Sequence, residues 1–316
     1  MPASKAEGPE PRASDPPRPE RAPLVSDDYA AYWGLTQPPF DNSPNPRFLY
    51  MSPEHEEALI RLTYAVQRRR GVAMLTGESG CGKTTVARAL IQRLDADRYE
   101  IALLGKPTWN VLSFLREILY QLGVETAPEN KPALLHLVND VLLRNFRRGR
   151  DTVVIVDEAQ LIDDPAVFEE LRLLLNFQTD DRFLMTLVLI GSPELLPKVR
   201  RLRHLDQRIA VRFHLTPLDA THTAGYIVHR LATAGRDAPI FSDAAIQLIF
   251  EFTKGTPRMI NNVCDVALLI GALHRLDRVD TVTITTAIND YLGGSLGGGL
   301  RELGGGLRPP PDAPRG

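Results

Sequence analysis

Apolar residues recur at helical spacing over 54–69, where Ala58, Leu59, Leu62, Ala65 and Val66 share one face, and the stretch stops at Arg68-Arg69-Arg70-Gly71. The pattern then changes to short unbroken apolar runs. Val72-Ala73-Met74-Leu75-Thr76 breaks at Gly77; Ile101-Ala102-Leu103-Leu104, Thr152-Val153-Val154-Ile155-Val156, residues 184–190 and a short piece at Val211-Arg212-Phe213 follow. Apolar runs of this length predict strands buried on both faces. Between them, residues 86–94, 111–122, 133–146 and 168–177 have helical spacing. Strands separated by helices predict an α/β fold, a parallel sheet sandwiched by helices. After Pro217 the strand signals stop, and helices are expected at about 220–233, 243–252, 258–274 and 283–291. This reads as a C-terminal helical lid domain.

The two ends break the pattern. Residues 1–27 are Pro-rich with mixed charges, and residues 293–316 hold nine of the chain's 23 glycines before Pro309-Pro310-Pro311. Neither has the apolar content to offset its ordering entropy, so a disordered N-terminal segment and a flexible tail are expected. The ordered protein is then an α/β domain at 28–216 and a lid at 217–292.

Composition narrows the function classes. Of 316 residues 43% are hydrophobic and 24% charged, enough for a sizeable core. The net charge of −2, from 37 basic and 39 acidic residues, excludes a global polybasic attraction to nucleic acid or anionic lipid. Local basic groups remain: Arg68-Arg69-Arg70, Arg147-Arg148 and Arg200-Arg201 with Arg203 form either a nucleic-acid track or solvated helix ends. No apolar run approaches the roughly 18 residues of a membrane span. Two cysteines cannot build a disulfide framework, and no signal-peptide core is present, so a cytoplasmic location is expected. The seven histidines show no metal-ligand spacing.

The chemistry sits where strand patterns end. Gly77-Glu78-Ser79-Gly80-Cys81-Gly82-Lys83-Thr84 fits the phosphate-loop pattern G-x-x-x-x-G-K-[ST] between an apolar strand and a helix. Its glycines let successive N–H groups turn toward phosphate oxygens, and the helix adds its positive N-terminal end. Lys83 would reach the β- and γ-phosphates of ATP, the Thr84 hydroxyl would ligate Mg²⁺, and Thr85 is counted with the loop among the nucleotide-binding residues. Cys81 reads either as a thiol activated by the helix dipole or as a small residue the loop tolerates. Val153-Val154-Ile155-Val156 runs into Asp157-Glu158. A carboxylate at that strand end can hold Mg²⁺, which suits Asp157, and the adjacent acid can polarise water, which suits Glu158. The extra strand between the two motifs favours the branch of phosphate-loop proteins with a catalytic glutamate.

On these motifs the chain resembles the AAA+ ATPases, and within them the ExeA/GspA type linked to type II secretion and pilus biogenesis. The resemblance runs from Tyr32-Trp33-Gly34-Leu35 and Pro39-Phe40, through Pro46-Arg47-Phe48-Leu49-Tyr50 to His55, and through Thr76-Gly77-Glu78. It continues in Asp157-Glu158-Ala159-Gln160-Leu161, Gly191-Ser192-Pro193-Glu194-Leu195, Gln207-Arg208-Ile209 and Gly255-Thr256-Pro257-Arg258. The transposition ATPases of the TniB type share much of this layout. The resemblance implies ATP hydrolysis with Mg²⁺, a nucleotide-dependent homo-oligomer, and a protein partner in secretion or pilus-type assembly. The alternative is an ATP-dependent switch on DNA. It places Ser192 at the sensor 1 position, where ExeA-like chains more often show Gln; a helix N-cap before Pro193 is the other reading. It places Arg258 at sensor 2, and residues 46–50 near the adenine, with Phe48 or Tyr50 either touching it or packing in the core. Arg208 becomes the arginine given to a neighbouring subunit's site, with Arg203 and Arg212 as rivals and a salt bridge beneath the lid as the other reading.

Overall fold

The computed structural model describes residues 28–43, 45–105, 110–179 and 182–293. The Pro-rich segment and all of the tail but Gly293 lie outside them. Helix α1 (Asp28–Tyr32) and α2 (Pro53–Gln67) precede β1 (Val72–Gly77), and α3 (Lys83–Arg93) leads to β2 (Tyr99–Leu104). Helices α4 (Val111–Gln121) and α5 (Lys131–Arg147) are followed by β3 (Asp151–Val156), α6 (Pro165–Leu174) and β4 (Met185–Gly191). Helices α7 (Leu195–Arg200) and α8 (Arg203–Asp206) precede β5 (Ile209–Leu215). Among the described residues four helices follow: α9 (Ala220–Thr233), α10 (Asp243–Thr253), α11 (Pro257–Leu273) and α12 (Thr281–Tyr291).

The five strands form one parallel sheet in the order β2-β3-β4-β1-β5. Alternation of side chains sends each strand's residues to both faces. Val72, Met74, Val154, Val156, Leu187 and Leu189 pack under α4, α5 and α6. Ala73, Leu75, Val153, Ile155, Val188 and Ile190 pack under α2 and α3. Both faces are covered, which is why the strands read as continuous apolar runs.

Caps set the helix starts. Asn110, Asn130, Asp219 and Asp280 each accept the backbone N–H three residues on, and Ser52 does the same for α2 ahead of Pro53. Helix α3 starts at Lys83 rather than at residue 86. Its first turn is polar because it faces the phosphate-loop cavity, so hydrophobic spacing could not show it. Helices α1, α7 and α8 span too few residues to display a period; α7 was hinted at only by the N-cap reading of Ser192.

The sequence reading places residues 28–48 with the α/β unit. Their packing differs: Tyr29, Trp33, Leu35, Phe40 and Phe48 join Ile227, Phe241, Ile260, Val263 and Leu268 in the helical core. The Trp33 Nε1 proton goes to the Leu268 carbonyl at 2.8 Å, and the Arg230 guanidinium binds the carbonyls of Pro39 and Asp41. No helix among the described residues is long and apolar enough to cross a membrane.

Candidate functional site

Strand β1 is flanked by β4 and β5, and Thr76 stands opposite Gly191 of β4, while Val156 of β3 stands opposite Leu189. The residues just past β1, β3 and β4 therefore emerge together at one end of the sheet. Those are the Gly77–Thr84 loop, Asp157-Glu158 and Ser192.

The loop turns through Gly80 at φ +82° and Gly82 at φ +95°, conformations that disfavour a side chain. Space forbids one as well, since a Cβ at Gly82 would meet the His55 Nε2 at 2.7 Å and one at Gly80 the Arg258 Cβ at 2.9 Å. His55 supports the loop from beneath. Its Nε2 lies 3.0 Å from the Cys81 carbonyl and its Nδ1 2.7 Å from the Ser52 hydroxyl. A carbonyl only accepts, so Nε2 carries the proton and Nδ1 accepts from Ser52. Burial holds the imidazole below its ordinary pKa.

Lys83 is 6% exposed and donates to the carbonyls of Gly77 and Glu78, both at 2.9 Å. A buried ammonium solvated by two loop carbonyls has one further proton to offer a ligand. Thr84 donates its hydroxyl to Asp157 Oδ2 at 2.7 Å, and the Glu158 N–H donates to Asp157 Oδ1 at 2.9 Å. Burial raises the Asp157 carboxyl above the usual range, against the pull of these two hydrogen bonds. A hydroxyl and a carboxylate are hard oxygen donors, the type a small divalent cation takes. Glu158 has φ +53° and its Oε2 accepts from Gln160 Nε2 at 2.6 Å.

A cavity runs between the sheet end and the helical half. Ser79, Gly80, Gly82, Lys83, Thr84 and Thr85 line it from the loop, Glu158 from β3, and Tyr226, Pro257, Arg258 and Asn261 from the helices. Residues 41–43, 45 and 48–50 close it, Phe48 and Tyr50 among its lining. Phe48 is at once cavity wall and core: it is buried with the Arg230 guanidinium 4.9 Å above its ring. Arg258 is the second residue of α11 and donates its backbone N–H to Gly80 O at 3.4 Å, so the lid touches the phosphate loop directly.

Other expected residues lie elsewhere. Ser192 does not line the cavity; its hydroxyl binds Glu194, and its N–H donates to Gln160 Oε1 at 3.0 Å. The N-cap alternative is not formed either, because α7 is capped by Glu194 and starts at Leu195. Arg208 is also outside the cavity and binds the Asn176 amide at 2.6 Å rather than a carboxylate. Arg212 is committed to Asp206 at 2.8 Å. The activated-thiol reading of Cys81 is corrected: the side chain is 1% exposed, and burial raises its pKa more than Lys83 lowers it. Tyr226, Arg230 and Asn261 were not singled out from sequence, and His55 and Gln160 entered only as residues of the family resemblance with no role assigned, since their partners are brought together only by the fold.

The chain is similar in sequence and fold to known proteins. A family model described as an AAA domain matches residues 66–199. General secretion pathway protein A of Aeromonas hydrophila is 44% identical over 247 residues, 76% of this chain and 44% of the relative. The chain thus spans less than half the length of that relative. ORC1-type DNA replication protein 1 of Halobacterium salinarum is 25% identical over 68% of this chain and 70% of its own. Among solved structures, the Aeropyrum pernix ORC2 protein with ADPNP and ADP has a TM-score of 0.61 at 18% identity, covering 82% of this chain and 72% of its own. Drosophila ORC bound to DNA has 0.63 at 19% identity, covering 88% and 71%.

Proposed function

Because this chain is an AAA+ protein resembling the ExeA/GspA-type ATPases, we propose that it binds ATP with Mg²⁺ in the cavity between sheet and lid and hydrolyses it. The observation that carries this reading is the Thr84–Asp157 hydrogen bond, which joins the phosphate-loop helix to the acids at the end of β3 beside the cavity. Lys83 would carry positive charge to the β- and γ-phosphates, and the loop N–H groups would cradle them. Thr84 and Asp157 would hold Mg²⁺, which when bound neutralises charge on those phosphates. Glu158 would accept a proton from the attacking water. Arg258, on the lid, would report nucleotide state to the helical half, and Arg208 would serve the site of a neighbouring copy in a homo-oligomer. The change of lid angle would alter affinity for a protein partner, in secretion or pilus-type assembly as the General secretion pathway relative suggests. Phosphate release from Mg-ATP tests the reading. Glu158→Gln should still bind ATP while turnover falls by roughly 10²-fold or more; wild-type turnover in that variant would reject Glu158 as the base.

A second reading, an ATP-dependent switch on DNA, draws on one structural observation. Every strand of the sheet is entered through an arginine: Arg70 before β1, Arg98 before β2, Arg150 before β3, Arg182 before β4 and Arg208 before β5. Arg69–Asp151 at 2.8 Å and Arg150–Glu100 neutralise part of this face. Duplex binding that weakens steeply with salt, and strengthens with ATP, would favour this reading over the first.

A further inference from the structure

Gln160 lies two residues past Glu158, in a single 3₁₀ turn (Ala159–Leu161) between β3 and α6. Its carboxamide spans two elements. The Ser192 N–H can only donate, so the atom 3.0 Å from it is Oε1, and Nε2 is left to face Glu158 Oε2 at 2.6 Å. The amide orientation is thereby fixed by its partners. The end of β4 is shaped for it, since a Cβ on Gly191 would lie 2.5 Å from Gln160 Oε1. From α7, Lys198 donates to the carbonyls of Gln160 and of Ile162, the latter at 3.1 Å, and so ties the 3₁₀ turn down. Glu158 itself has a left-handed backbone, which disfavours a residue with a side chain and persists only when neighbours over-determine it.

We infer that Gln160 is the positioning residue of this site. It holds one oxygen of the Glu158 carboxylate and leaves the other for water, and it ties that carboxylate to the end of β4. A glutamate otherwise has three side-chain torsions to explore, and a small misplacement of a reacting group costs rate without costing binding. The inference rests on the proposed ATPase reading, in which Glu158 is the base.

The test uses the full chain and Gln160→Met, which keeps length and volume but makes neither hydrogen bond. Turnover of Mg-ATP should fall about 10-fold or more, while the affinity for a non-hydrolysable ATP analogue changes less than about 2-fold. Residues acting as a unit are not additive, so Gln160→Met added to Glu158→Gln should lower turnover no further than Glu158→Gln alone. Amide hydrogen exchange at Ser192 should be protected in the wild type and at least about 10-fold faster in Gln160→Met. Wild-type turnover in Gln160→Met, a further loss on top of Glu158→Gln, or unchanged Ser192 exchange would each overturn the inference. A wild-type chain that binds ATP but never turns it over would instead overturn the ATPase reading, and this positioning role with it.

Discussion

The Thr84 hydroxyl and the Asp157 carboxylate meet at 2.7 Å although 73 residues separate them in the chain. Strand β4 lies between the strands that deliver them, so the bond reaches across it at the sheet's end. It registers the first turn of α3 against the end of β3. The same two groups are the ones a bound cation would take as ligands. Nucleotide site and acid pair are therefore aligned by the fold itself, with Lys83 beside them on the loop carbonyls.

Lys83→Ala removes the one ammonium the phosphate loop holds at its centre. A charge-assisted hydrogen bond is worth about 1.5–3 kcal/mol, so ATP affinity in calorimetry should fall by about 10- to 10²-fold. Unchanged affinity would sink the phosphate-loop assignment.

Arg208→Ala tests the shared site. Arg208 and Lys83 variants are each expected to be inactive alone, yet mixed assemblies should regain turnover, because an intact loop can then face an intact arginine. Mixed assemblies that form without regaining hydrolysis reject the role of Arg208 in trans.

His55 predicts a pH dependence of stability. Its folded pKa lies below the ordinary 6.5, so on acidification the unfolded chain takes up the proton first. The stabilisation is complete above about pH 6.5 and is lost as pH falls from there toward the lowered value. Melting temperature should drop over that window, and His55→Gln, which keeps an N–H donor for Cys81, should flatten part of the drop. Identical pH profiles for the two proteins would contradict it.

Trp33→Ala should destabilise the protein by about 3–5 kcal/mol in urea unfolding, as expected for a large aromatic removed from a core. Trp33 is 2% exposed and hydrogen-bonded to α11. A loss below about 1 kcal/mol would mean that the 29–48 segment does not belong to the helical core.

What the sequence disclosed follows from where the information is local. The phosphate loop and Asp157-Glu158 were legible because a short backbone stretch forms each of them, and the strands because a parallel sheet covered on both faces admits no alternation. The start of α3 was not, because Lys83, Thr84 and Thr85 face the cavity and break the apolar period. Ser192 was placed correctly at the end of β4, yet the group that it presents inward is its N–H rather than its hydroxyl. Gln160 stood in the sequence as part of a motif shared with the family, but nothing local showed its role: its second partner is 32 residues away. The location of residues 29–48 was hidden for the same reason, since aromatic residues without periodicity do not say which core they enter. Arg230 decides it, by gripping that segment's carbonyls and standing over Phe40 and Phe48.

That grip has a consequence for biosynthesis. The helical half is assembled from both sides of the α/β half, and Trp33 must wait for Leu268, 235 residues later, before its indole is satisfied. At roughly 5–20 residues per second, the wait lasts on the order of 10–50 s. The sheet and its helices can close during that interval, since all five strands have been made by Leu215. Trp33 cannot, so the nascent chain carries its indole unsatisfied until translation has passed Leu268, while Phe40 and Phe48 wait for Arg230 and Phe241.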